Sequence, residues 1–528
     1  MRLALPTEPT GTSLQRLGEL AAERNGDDSR LVFEGHTWTG TELAARARRL
    51  AGGLQEAGLV PGERVVVCMA NCPEVGITYS AIWRAGAVAT PVVFLLSEDE
   101  LRHVFTNSGA AYVVTTPEFL PKVAAAAVGV GTMRALIVVG DPPALGTGTP
   151  ALSYAELEES DESDLIDSDP SDLAALLYTG GTTGRSKGVM LSHNAMSTSA
   201  WAAIANAYDP ELRRTLLPLP LSHAYGLLVT TMGLHAPDPG MTVLQRWFIP
   251  GDWLKLAAEY RVQTGAVVPS MLQLLLQQPI EDHDLTDLRR LSSGGAPLSQ
   301  DVADAFRKRV PQVEIAEGYG CTETAALIAS NPVGAVRLGS VGKAVPGVEI
   351  RIEPVAEYDS AEGQSVPVGA DGEICVRGKM LMDGYWQSPE ETARTLRGGW
   401  LHTGDVGHLD SDGYLYVVDR IKDLIIRGGF NIYPRDVEDV LLGHSDVVNV
   451  AVIGRPDPTY GEEVVAFVQL KDGAHATSLE LVQYTKEHLA AHKYPREVHI
   501  VDAVPLTSVG KTDRKALRRR IIAAAETR

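Results

Sequence analysis

Eight of the ten residues in "TGGTTGRSKG" (179–188) are Gly, Ser or Thr; the other two are Arg185 and Lys187. Glycines let a backbone turn through positive φ and let its N–H groups converge on an anion. Thr179, Thr182, Thr183 and Ser186 add hydroxyls, Gly180 adds bare backbone, and Lys187 adds a cation. The composition points to phosphate, but not to a Walker A loop, which needs Gly before its Lys and Ser or Thr after it. Here Ser186 precedes Lys187 and Gly188 follows it. In "EGYGCTET" (317–324), Glu317 leads into Tyr319, set between Gly318 and Gly320, where a ring can stack on a base. Thr322 offers a hydroxyl to a phosphate, and Glu323 a carboxylate to Mg2+, a hard cation that prefers oxygen. "SSGGAP" (292–297) presents Gly294, Gly295, Ala296 and Pro297, bare enough for a flat base edge. Asp405 in "WLHTGDVG" (400–407) is a bidentate acceptor for two vicinal ribose hydroxyls. His223 in "LPLSHAYG" (219–226) follows a proline-bounded strand end, and Lys511 in "PLTSVGKTDR" (505–514) lies in a turn near the C-terminus.

These residues must be held by a scaffold, and the chain alternates strand and helix patterns over its first 330 residues or so. "ERVVVCMA" (63–70), "VATPVV" (88–93), "AYVVTT" (111–116) and "ALIVVG" (135–140) are short apolar, mostly β-branched runs. "PEVGITYSAIWRAGA" (73–87) has helical spacing with Pro73 at its start, and Ser97 with Glu100 forms a capping box before Leu101, Val104 and Phe105. This rhythm predicts an α/β fold of parallel sheets covered by helices. "VEIRIE" and "GEICVRG" read as antiparallel strands around a polar loop, so about 335–418 reads as a small β-rich subdomain. "YVVDRIKDLIIRGG" reads as strand, charged bend and strand, and the last hundred or so residues as a separate small α+β domain.

Composition narrows the function classes. Length, 528 residues, suggests several domains or subdomains. A net charge of −20 (47 basic against 67 acidic residues) argues against non-specific nucleic-acid binding. No run of about 18 apolar residues is present, so no membrane span is expected. The N-terminus lacks a signal-peptide pattern, and a cytoplasmic protein is expected. Cys68, Cys72, Cys321 and Cys375 have neither zinc-ligand nor disulfide-framework spacing and are expected to be buried or half-buried thiols.

"YTGGTTGRSKGV", "PLSHAYG", "GYGCTET", "GWLHTGD", "DRIKDLIIRGGFNIYP" and "PLTSVGKTDRKALR", in this order over essentially the whole length, resemble the adenylate-forming superfamily of acyl-CoA synthetases, adenylation domains and beetle luciferases. The resemblance implies a large N-terminal domain, 1–419, of two doubly wound α/β subdomains plus a small β-barrel-like one. A hinge at 420–422 and a small mobile α+β domain, 423–528, follow. It also implies a reaction: a carboxylate attacks the α-phosphate of Mg-ATP, pyrophosphate leaves, and a thiol, usually CoA, displaces AMP from the acyl-adenylate. By the same resemblance, Thr179, Ser186 and Lys187 grip the β- and γ-phosphates, Thr322 meets the α-phosphate, and Glu323 holds Mg2+. Tyr319 stacks on adenine beside Gly295, Ala296 and Pro297, and Asp405 and Arg420 bind ribose. Lys511 bridges the carboxylate and the α-phosphate, Lys422 is the hinge, Gly429 lines the pantetheine channel, and His223 gates the acyl site or orients the carboxylate.

The candidate acyl pocket is Ala224, Tyr225, Gly226, Leu227, Val268, Met271, Gly294 and Gly295, which is apolar with small residues giving room. No acidic residue stands at 224 to pair with a substrate ammonium, and no arginine lies in 223–230, 267–272 or 293–297 to meet a second carboxylate. The lining favours a medium- or long-chain fatty acid, then an aryl or arylpropenoic acid. The acceptor is expected to be CoA, since no carrier-protein module follows Lys511 before Arg528. A stand-alone ligase loading a carrier protein is the alternative; a luciferase-like oxygenase or an inactive nucleotide-binding homologue ranks lower. A homodimer is compatible with this reading.

Overall fold

The computed structural model describes residues 11–140, 148–179, 185–355, 363–506 and 512–526. By its internal contacts the chain divides into two units, one of Met1–Glu349 with Val376–Leu401 and one of Ile350–Cys375 with His402–Arg528.

The first unit holds two large sheets. In the eight-stranded sheet, Arg64–Cys68, Val88–Pro91, Tyr112–Thr115 and Ala135–Val138 run parallel. Side chains alternate across a strand. Val65 and Val67 enter one apolar cluster, with Leu50, Leu54 and Ile82 of helices Gly40–Glu56 and Pro73–Arg84. Val66 and Cys68 enter another, with Leu101, Val104 and Phe105 of helix Glu98–Ser108. Both faces are therefore covered, which is why these strands read as continuous apolar runs rather than as alternation. The Ser97–Glu100 capping box forms as the sequence predicts, and Gly109 ends the helix in the left-handed conformation.

The nine-stranded sheet carries Arg290–Ser293 and Glu314–Tyr319 as parallel neighbours, continued by the antiparallel pair Ala329–Ser330 and Lys343–Ala344. Among the described candidates, Thr179, Lys187 and Tyr319 lie at strand ends, and Glu323 in the turn that follows Glu314–Tyr319.

In the second unit, strand Leu415–Arg420 pairs antiparallel with Trp400–Leu409, placing Arg420 opposite Asp405. The 3-10 turn Ile421–Asp423 leads into a separate five-stranded sheet built on the long antiparallel pair Val447–Asp457 and Gly461–Leu470. Val450, Val452, Val464, Ala466 and Val468 enter one apolar cluster with helices Pro434–Leu442 and Ser478–His488. The residues between them, Ala451, Ile453, Val465 and Phe467, enter another with Leu517 of helix Arg514–Glu526. Cys68, Cys72 and Cys375 are buried and Cys321 half-buried, and none of the four is in a disulfide, as the sequence predicts.

Candidate functional site

The phosphate-loop motif is flanked by two paired strands. Strand Leu173–Thr179 pairs antiparallel with Lys187–Ser192, setting Thr179 opposite Lys187. Gly180, Thr182 and Thr183 lie outside the described residues, as does Lys511. Both flanks of the loop are braced by helix Glu98–Ser108: after it, His103 Nε2 lies 2.9 Å from the Ser186 carbonyl oxygen, and before it the Tyr178 hydroxyl donates to Asn107 Oδ1 at 2.6 Å. Gly188 is closely packed: a Cβ there would stand 2.9 Å from Leu176 Cδ1 and 3.2 Å from Tyr178 Cζ.

On its other edge, Lys187–Ser192 pairs with the two-residue strand Gly384–Tyr385, and Trp386 N donates to the Gly188 carbonyl at 2.7 Å. This brings up a residue that the motifs do not point to. The Tyr385 hydroxyl donates to Glu323 Oε1 at 2.8 Å, while the Lys187 ammonium lies 5.2 Å from the centre of the Tyr385 ring. Lys187 also forms an ion pair with Glu391 in the short helix Pro389–Thr395. Burial, then the Glu323 carboxylate, push the Tyr385 phenol well above its ordinary range, so it stays a donor. The sequence signal is slight: an aromatic pair, "GYW", just before a Ser-Pro helix start.

Glu323 sits in the 3-10 turn Thr322–Thr324, which packs beside Lys187–Ser192. Glu317, Gly318 and Tyr319 form the end of the preceding strand; Gly318 and Tyr319 pair with Ser330 and Ala329, and the Glu317 carbonyl accepts from Asn331 N at 3.0 Å. Gly320 has no room for a side chain: a Cβ would lie 2.1 Å from the Ala326 carbonyl oxygen. Beyond the turn, Ala325 and Ala326 hold φ of 47° and 85°. Left-handed backbone at non-glycine residues costs on the order of 1–3 kcal/mol and needs surrounding support. That support is visible: Ser199 Oγ donates to the Ala325 carbonyl at 2.8 Å, Met382 N donates to the Glu323 carbonyl at 2.8 Å, and Thr324 Oγ1 donates to the Cys321 carbonyl at 3.0 Å. With Oε1 fixed by Tyr385, the carboxylate keeps a second oxygen for a hard cation, so its donor chemistry fits Mg2+.

His223 caps helix Ala224–His235, its Nδ1 accepting from Tyr225 N at 3.3 Å. The Tyr225 hydroxyl donates to the Ser292 carbonyl at 2.9 Å, and burial raises its phenol well above the ordinary range. A Cβ on Gly294 would stand 3.3 Å from Tyr225 Cε1, so the missing side chain is what lets the ring lie there. Gly295, at φ 80°, Ala296 and Pro297 are exposed, and Val268 Cγ1 would lie 3.8 Å from a Cβ on Gly295. Val268 precedes helix Pro269–Leu276, in which Met271 is buried. Ala224 borders a small apolar cavity that also touches Leu191, Met196, Leu228 and Ala325. Gly226 serves packing instead of an open pocket: it admits the Pro220 carbonyl, 2.1 Å from where a Cβ would be. Leu227, though buried, lines the same small cavity as Ala224.

In the second unit, Asp405 is buried and its Oδ1 accepts from Arg420 Nε at 2.6 Å. The segment before it is pinned to the neighbouring strand: His402 Nδ1 lies 2.9 Å from Glu373 Oε2, Thr403 Oγ1 donates to the Ile374 carbonyl at 2.8 Å, and Gly404 N donates to Glu373 Oε1 at 3.1 Å. Lys422 lies in the turn Ile421–Asp423, and Gly429, at φ 80°, in the turn between strands Ile425–Arg427 and Phe430–Ile432.

Residues 18–386 match the model of the AMP-binding enzyme family, and residues 436–511 that of the AMP-binding enzyme C-terminal domain. The chain is 37% identical over 499 residues to a feruloyl-CoA synthase of Amycolatopsis sp., covering 92% of this chain and 94% of that protein. It is 33% identical over 509 residues to 4-coumarate–CoA ligase 5 of Oryza sativa subsp. japonica, covering 93% and 90%. Among solved structures it is similar to the anthranilate CoA ligase AuaEII in complex with anthranoyl-AMP (TM-score 0.89, 26% identity, 98% and 99% covered). It is also similar to ATP-bound MatB from Rhodopseudomonas palustris (TM-score 0.86, 31% identity, 96% and 99% covered). The chain belongs to the AMP-binding enzyme family and is an AMP-forming ligase of the CoA-ligase type, whose cofactors are ATP, Mg2+ and CoA.

Proposed function

We propose that the chain joins an uncharged apolar carboxylic acid to CoA, with an arylpropenoic acid of the cinnamic type as the first substrate class and a medium- or long-chain fatty acid as the second. The observation that carries the activity is the convergence of Lys187 and Tyr385, at the ends of paired strands, with Glu323 in the adjacent turn, a cation and an oriented carboxylate where Mg-ATP needs both. The ranking of acids reverses the order read from the pocket residues in the sequence. Tyr225, fixed by Ser292 and by the bare Gly294, presents a flat ring in the candidate pocket. A planar acid can lie against such a ring, whereas a long flexible chain must bend past it. The names of the relatives, a feruloyl-CoA synthase and a 4-coumarate–CoA ligase, support the same order.

In this reading Thr179, Ser186 and Lys187 hold the departing pyrophosphate, Thr322 meets the α-phosphate, and Glu323 orients Mg2+, which would neutralise charge on the phosphates. Tyr319 and the 295–297 backbone receive adenine, and Asp405 with Arg420 receives ribose. Lys511 bridges the two anionic reactants, and the segment 420–422 is the hinge between domains 1–419 and 423–528, with Gly429 along the path of CoA. The test is acid-dependent pyrophosphate release across cinnamic, benzoic and fatty acids, with and without CoA. Turnover is expected to be fastest with cinnamic-type acids and to yield their CoA thioesters. Faster turnover of fatty acids would reverse the substrate order, and adenylate formation indifferent to CoA would favour the carrier-loading alternative.

A further inference from the structure

Lys187 is not held by the phosphate loop alone. Its ammonium pairs with one carboxylate oxygen of Glu391 and lies over the Tyr385 ring, and the other Glu391 oxygen is 3.1 Å from Arg394 Nη1. Lys187 and Glu391 are 29% and 37% exposed, so water reaches the pair. The hydrogen bond from Lys187, more than the nearby charges, holds the Glu391 carboxyl below its ordinary range. Ion pairs this exposed are weak, and a polyanion of higher charge displaces one partner readily. Tyr385 serves both sides of the arrangement: its ring lies under the lysine and its hydroxyl fixes Glu323.

We infer that Glu391 is a positioning residue, an internal anion that holds Lys187 over Tyr385 and competes for it with the β- and γ-phosphates, which displace it when they bind. Glu391 thereby occupies the lysine's charge until the polyphosphate does, and it competes again when pyrophosphate must leave. This inference rests on the reading of Lys187 as a polyphosphate ligand. Two features make it specific. The competition requires Lys187, and it concerns ligands that carry β- and γ-phosphates, so AMP is indifferent to it.

Isothermal titration of Mg-pyrophosphate and of AMP into the full chain, as wild type, Glu391→Gln, Lys187→Ala and the double variant, tests it. Glu391→Gln is expected to tighten pyrophosphate about two- to five-fold, the fold-change that loss of a competing exposed ion pair gives. AMP affinity is expected to stay unchanged, and in the Lys187→Ala background Glu391→Gln is expected to have no effect. Lys187→Ala alone is expected to weaken pyrophosphate; if it does not, the reading of Lys187 itself fails. If it does, the inference is overturned by unchanged pyrophosphate affinity in Glu391→Gln. An equal shift for AMP, or a shift that persists without Lys187, overturns it as well, since either is the mark of a general change in surface charge.

Discussion

At the scale of single residues, the site divides into groups that a motif announces and groups that only packing supplies. Lys187 in 179–188 and Thr322 with Glu323 in 317–324 are announced, because the residue types around each, within its own short stretch, have few other uses. Tyr385 and Glu391 are not, since 62 and 204 residues separate them from Glu323 and Lys187, the partners that give them meaning. A two-residue strand and one short helix leave almost no periodic signal. Tyr385→Phe keeps the ring under Lys187 and removes the bond to Glu323. It is expected to raise the Mg2+ concentration needed for half-maximal adenylation several-fold, with little change in the affinity for AMP, read from pyrophosphate release against Mg2+ concentration. Lys511→Ala is expected to lower acid-dependent ATP–pyrophosphate exchange by about a hundredfold or more, on the order of the loss seen when one preorganised charge-stabilising donor is removed. Thioester formation from added acyl-adenylate is expected to survive that change.

At the scale of elements, legibility follows amphipathicity and capping. The helix Glu98–Ser108 can be read from its capping box and its three buried apolar positions. Helix Ala224–His235, which His223 caps and which carries Tyr225, cannot, because apolar residues surround it on every side and leave no stripe. Its entry depends on a close backbone approach at Gly226, where the Pro220 carbonyl fills the place of a side chain. Gly226→Ala forces that contact apart and is expected to cost about 1–3 kcal/mol, seen as a lower denaturant midpoint. Tyr225 is then displaced with the helix, so the KM for the acid is expected to rise more than the KM for ATP. The strained turn Thr322–Ala326 is equally hidden, since Ala-Ala gives no hint of left-handed backbone.

At the scale of the whole molecule, the α/β class and the α+β C-terminal part are readable because strands buried on both faces are distinctive in sequence. The grouping of the middle strands is not readable, because it depends on which contacts dominate: by contacts, Ile350–Cys375 and His402–Leu409 go with the C-terminal residues. Among the described residues no helix is long and apolar enough to cross a membrane. Stability is expected to fall in acid for a definable reason. Burial lowers the imidazoles of His193 and His235 from 6.5 to about 4 each. Their neutral forms are favoured in the folded state, so their contribution is complete above the unfolded value of 6.5 and is lost as pH falls from there to about 4. Each shift corresponds to a loss on the order of 3 kcal/mol. The stability difference between about pH 7 and about pH 4 is expected to be larger in wild type than in His193→Gln/His235→Gln; parallel curves would remove these two groups from the account.

At the site built on Lys187, Glu323 and Tyr385, a carboxylate, ATP and CoA are expected to become a thioester, AMP and pyrophosphate. The most direct measurement is mass-spectrometric product analysis of the purified chain with Mg-ATP, CoA and a hydroxycinnamic acid. The expected result is one AMP formed for each hydroxycinnamoyl-CoA, with both products lost when the acid is omitted and also lost in Glu323→Ala. ADP instead of AMP, or full thioester formation by Glu323→Ala, would contradict it.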